Sequence, residues 1–100
     1  MLFEIIDKRG KKIRLTETGF RHISADHPDV PIEEVKRTIE LPTKITKSTY
    51  DEQVQWYYRF NKDLGEYLLV AVKYLNGEAF IITAYYTKHF RILRSLLSMT

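Results

Sequence analysis

The 100-residue chain has no cysteine, four glycines, three prolines and no apolar run long enough to cross a membrane. Each shortage excludes something. Without cysteine there is no disulfide framework and no thiolate chemistry, which suits a reducing compartment. The few glycines form no phosphate-cradling loop, and no serine sits in a nucleophile elbow. The opening MLFEIIDKRG carries acidic residues inside its apolar stretch and lacks a small-residue cleavage site, so it does not read as a signal peptide. The expected location is the cytoplasm. What is present is 44% hydrophobic residues, 13 of the 100 residues being aromatic. That is enough for one ordinary globular domain over residues 1–100.

Acid is also scarce at one end. No Asp or Glu follows Glu78, whereas Lys88, His89, Arg91 and Arg94 do. Lys8, Arg9, Lys11, Lys12 and Arg14 crowd the first segment, and the net charge is +3. If the fold joins the two basic ends, they make one positive surface for a polyanion. Arg14, Lys88 and Arg91 are its candidate RNA contacts. Solvated turns would carry the same charges.

The element pattern is legible along the chain. FEIID and KIRLT flank KRGK, with Gly10 free to take the positive φ of a tight turn, and predict a β-hairpin. Thr16 caps a helix that runs to Asp26, where Pro28 disfavours helical geometry at His27. Pro31 opens a second helix at its first position, with Glu33 and Glu34 in the first turn and Ile32, Val35 and Ile39 as its apolar stripe. Leu41-Pro42 ends it. The period then changes to two. KITKSTY, VQWYYRF, EYLLVAVKYL and EAFIITAYYT predict four strands in an antiparallel meander, with Asn76-Gly77 the strongest turn signal. The tail FRILRSLLSM fits a strand or a short helix. The expected fold is α+β: an N-terminal hairpin, two helices, then a four-stranded antiparallel sheet with the helices on one face.

Alternation along the strands separates two sets. Val54, Trp56, Tyr58 and Phe60, with Leu68, Val70, Val72 and Tyr74, and with Phe80, Ile82, Ala84 and Tyr86, are the more apolar and are expected to meet the helices. The other face then collects Tyr57, Arg59, Lys73, Thr83 and Tyr85, cations and donors with rings between them, which suits a phosphodiester and a stacked base. The wet face of any half-covered antiparallel sheet carries similar residues.

Two of the three histidines fall in GFRHISADHP. His22 and His27 are five residues apart, a turn of roughly 140° on a helix, so they diverge and make a poor metal pair. His22 flanks the apolar side of its helix and is the better candidate acid or base. His27, at the helix end, faces the last carbonyls.

The order IRLTETGFRHISADHPD, IEEVKRTIELPTKITKS, WYYRF, YLLVAVKY and IITAYYT resembles the phage- and toxin-associated nuclease-like domains of the barnase–EndoU–colicin E5/D–RelE superfamily. The motifs that carry the resemblance are Leu15-Thr16, His22-Ile23, His27-Pro28, Leu41-Pro42, Tyr57-Tyr58 and Thr83-Ala84-Tyr85. The resemblance implies a RelE- or barnase-like fold and a metal-independent endoribonuclease, with no cofactor. It implies His22 as acid or base, Arg59 or Lys73 stabilising charge on the phosphate, and Thr83 and Tyr85 positioning phosphate or base. A toxin of this kind needs an antitoxin or other inhibitor protein. The competing expectations are a non-catalytic RNA- or protein-binding module and, ranked last, a metal-dependent hydrolase using His22, His27 and Asp26.

Overall fold

The computed structural model describes residues 2–7 and 9–88. The elements are β1 (Phe3–Ile6), β2 (Lys12–Leu15), α1 (Glu17–Asp26), α2 (Ile32–Glu40), β3 (Lys44–Lys47), β4 (Val54–Asn61), β5 (Glu66–Leu75) and β6 (Glu78–Thr87). The tail FRILRSLLSM lies outside the described residues.

The helices start and stop for local reasons. Thr16 is extended and its hydroxyl accepts the Gly19 N–H at 3.0 Å, which satisfies one of the free donors of the first turn. At the other end His27 leaves helical geometry with φ −136°, its N–H returning to the Ile23 carbonyl. Pro31 is the N-cap of α2 rather than its first helical residue, and Val35, Thr38 and Ile39 are buried. The Thr38 hydroxyl avoids an unmet donor by bonding the Glu34 carbonyl at 2.8 Å.

The sheet departs from expectation. It is not a four-stranded antiparallel sheet behind a separate hairpin but a single six-stranded mixed sheet, ordered β1-β2-β6-β5-β4-β3. The β1–β2 hairpin joins it through a parallel seam between β2 and β6, with Ile13 opposite Ala79 and Arg14 opposite Phe80. Burial drives this seam. Ile13, Leu15 and Ala79 are fully covered in the main core with Val35, Val70 and Val72. A hairpin left apart from the sheet would expose that apolar side.

Of the C-terminal basic segment only Lys88 is among the described residues, and it lies apart from Arg14. Because β2 runs parallel to β6 beside Ala79, Lys88 lies nine residues further, about 30 Å along a strand. Arg14 is bracketed by Glu4 at 2.9 Å and Glu78 at 3.1 Å.

The face assignment also changes. Both helices pack on one side, α2 over β1, β4 and β5 and α1 against β6. On β4 that side carries Tyr57 and Arg59, opposite Val70 and Leu68. Val54, Trp56 and Tyr58 point the other way and form a second buried cluster with Leu69 and Ala71. A register irregularity at Ala71/Val72 skips Ile82, so Ala71 pairs with Thr83 but Val72 with Ile81. Strict alternation along β6 therefore fails there: Ala79, Ile81 and Ala84 are all core residues, and Ile82 is exposed.

Candidate nucleic-acid interface

At the end of the sheet where β4 leaves and β6 finishes, the row Arg59, Leu68, Tyr86 crosses three strands on the helix side. With Glu34, Arg37 and Thr38 of α2, and Asn61 and Lys62 of the β4–β5 turn, these residues line a groove of about 230 Å³. Arg37, Arg59 and Lys62 bring three cations to it against the one carboxylate of Glu34. The Arg59 guanidinium is not loose. Its Nη1 donates to the Leu41 carbonyl at the C-cap of α2, 3.1 Å away. The remaining donors of its rigid fork are left for an anion. Burial, with the charges of Glu34 and Asp29, raises the pKa of Tyr86, so its phenol remains a neutral donor at pH 7. Groups of this kind can meet an anion by charge and by directed hydrogen bonds.

His27 reaches the same end of β6. Its ring stacks on Tyr85 with centroids 5.3 Å apart and planes at 30°. Tyr85 and Thr83 face away from the helices, opposite Leu69 and Ala71. Lys73 pairs with Val54 towards the far end of β5 and is held by Asp51 at 3.3 Å. His22 is exposed on α1. The five residues expected on one face are therefore divided. Tyr57 and Arg59 lie on the helix side; Lys73, Thr83 and Tyr85 lie on the other. Lys88 is exposed just beyond β6, and Arg91 falls outside the described residues. Among the described residues no group of three His, Asp or Glu side chains is placed to hold a metal ion. His22, His27 and Asp26 accordingly form no such site.

Arg37, Lys62 and Tyr86 were not singled out from the sequence as site residues; His27 was weighed only as a metal ligand and a helix end. A signal existed for Lys62. It follows Arg59 by three residues in a polar turn, RFNK, where a strand ends.

No family model, no curated protein and no solved structure matches this chain. The site therefore rests on its own geometry.

A second cluster braces the opposite end. The Asp7 carboxylate, 5% exposed, accepts the N–H groups of Arg9 and Lys11, each at 2.9 Å, and the Tyr74 hydroxyl at 3.2 Å. Tyr74 in turn meets the Tyr57 hydroxyl. This pairing lets Tyr57 sit under α2 with its polar end satisfied. Burial works to raise the Asp7 pKa, but the two N–H donors, Tyr74 and the charge of Arg9 together outweigh it and hold the carboxyl below its usual 3.8. Burial likewise raises both tyrosines, so neither ionises near neutrality.

A depressed carboxyl stabilises the fold fully above its unfolded value, and the contribution fades as pH falls through the native value. Stability should therefore decline below about pH 3.8. Asp7→Ala, which orphans three donors, should destabilise by about 2–3 kcal/mol at pH 7 and flatten this acid limb. Urea melts of both proteins from pH 7 to pH 2 test it. Parallel curves for the two would show that Asp7 carries no such linkage.

Proposed function

We propose that this domain binds the phosphodiester backbone of RNA in the Arg37–Arg59–Lys62 groove and cleaves it without a metal. The observation that carries the reading is the Arg59 guanidinium, fixed by the Leu41 carbonyl and flanked by two further cations and the neutral Tyr86. Charge developing on a phosphorane is met best by cations already in place. The resemblance of the motifs to the RelE- and barnase-type nucleases supports the same chemistry.

In this reading His27, which stacks on Tyr85 at the same end of β6 but outside the groove lining, takes the proton of a ribose 2′-hydroxyl. The oxygen attacks the adjacent phosphorus, the bond to the 5′-oxygen breaks, and that oxygen takes a proton from solvent water as it leaves. The products are a 2′,3′-cyclic phosphate and a 5′-hydroxyl. Uncontrolled activity of this kind arrests growth, and an inhibitor protein would mask the groove.

The groove lining itself contains no histidine. That favours, as a second reading, a module that binds RNA without turnover. Incubation of total RNA with the protein in excess chelator separates the two. Cyclic-phosphate ends from wild type, reduced ~100-fold by His27→Ala and little by His22→Ala, are the expected result. Intact RNA with salt-dependent binding leaves the module; loss of cleavage with His22→Ala alone returns the acid–base role to His22.

A further inference from the structure

Tyr57 and Arg59 are successive residues on the helix side of β4, ~7 Å apart along the strand. Arg59 lines the cationic groove on one flank of the α2 C-terminus. Tyr57 lines a different cavity on the other flank, about 280 Å³, walled by Ile39, Pro42 and Ile45. Its polar groups are few and convergent. Arg9 Nη2 donates to the Gln55 side-chain carbonyl at 3.2 Å, and the guanidinium also lies 5.1 Å from the centre of the Tyr74 ring. Asp7, which touches the same cavity, is already occupied by its three donors. Ile45 remains 44% exposed. The cavity thus combines apolar walls with two groups able to read an edge, the usual composition of a small-ligand site.

Resting on the RNA reading above, we infer that this cavity receives the nucleobase of the nucleotide whose phosphate lies against Arg59. Apolar walls suit a base, and the spacing of two residues on one strand matches the two ends of one nucleotide. Arginine offers donors only. It therefore selects an edge with two adjacent acceptors; the O6 and N7 edge of guanine is the commonest partner of arginine of this kind, and the N3 and O2 edge of cytosine is the competitor that the titration separates. The Gln55 amide supplies a further donor and acceptor at the same mouth. The site confers base preference; the cationic groove confers affinity.

Titration of the ¹⁵N-labelled protein with the four nucleoside 3′-monophosphates and with inorganic phosphate tests this. Guanosine monophosphate should bind tightest, shifting the amides of Ile45, Gln55 and Tyr57 as well as those of Arg59 and Lys62. Arg9→Gln, on an exposed side chain, should reduce the preference for guanine by at least about fivefold. Equal affinity for all four nucleotides, shifts confined to Arg59 and Lys62, no shift at all, or a preference that survives Arg9→Gln would each overturn the inference. In the first two cases RNA binding through Arg59 would still stand. Absence of any RNA binding by the wild type would instead remove the reading beneath it.

Discussion

Arg59→Glu should abolish RNA cleavage, by ~100-fold or more, and weaken RNA binding at low salt. The reversal does more than delete a donor. It places a carboxylate beside Glu34 in a groove whose remaining cations are Arg37 and Lys62, so the local balance turns from an excess of positive charge to neutrality. It also removes the donor to the Leu41 carbonyl. Arg59→Lys keeps the charge but loses the planar fork, and should recover binding better than cleavage. Filter binding across a salt series reads both. The slope of log K against log salt should shallow by about one for each phosphate that is no longer neutralised. An Arg59→Glu protein that melts like wild type and still binds RNA with the wild-type slope would remove the groove from consideration. Lys73→Ala is the matched control, because Lys73 is already paired with Asp51 on the other face.

Ile13→Ala should cost about 3 kcal/mol of folding stability, within the range for emptying a fully buried isoleucine site. Ile13 is completely covered, stands between Ile5 on β1 and Ala79 on β6, and belongs to the main core. A loss of that size is a large share of the 5–15 kcal/mol typical of a domain, and lowers the melting temperature by roughly 15 °C at this chain length. Ile6→Ala in the same hairpin should change stability by no more than about 0.5 kcal/mol, because Ile6 is 63% exposed. The contrast tests whether the hairpin is part of the sheet. Equal, small effects at both positions would mean that it is not. Chemical denaturation with a common m-value is the suitable measurement, since it separates lost packing from a change in the unfolded chain.

The parts of the fold that were legible are those set by neighbours in sequence. The Thr16 cap, the break before Pro28, the stop at Leu41-Pro42 and the Asn76-Gly77 turn each depend on a few adjacent residues, and each lies where it was expected. The parallel seam was not legible. It consists of two residue pairs separated by 66 positions, and nothing about KIRL distinguishes a strand that ends a hairpin from one that joins a distant partner. Face assignment failed for a different reason. On β4 apolarity points to the wrong side, because Val54, Trp56 and Tyr58 bury themselves in a second cluster away from the helices; the Tyr57–Tyr74 hydroxyl contact and the Arg59–Leu41 bond satisfy the polar groups on the helix side, and both are tertiary. The register irregularity beside Ile82 then displaced the expected alternation on β6. Among the candidate site residues Arg59 has the groove setting a phosphate role requires. The sequence offers His27 as a helix end or a metal ligand but not its stack on Tyr85, because that stack joins positions 58 residues apart.

The position of β6 also bears on how the chain is made. It lies between the hairpin that is synthesised first and the meander that is synthesised later. Until residues 79–87 have left the ribosome, β2 has no partner on its inner edge and Ile13 and Leu15 have no finished core to enter. The N-terminal quarter of the chain therefore waits with apolar surface uncovered while everything else is translated. Closure through contacts so distant in sequence is slow, on the order of milliseconds to seconds. During that interval the nascent hairpin keeps Ile13 and Leu15 without the strand that covers them, and such uncovered apolar surface is where aggregation starts.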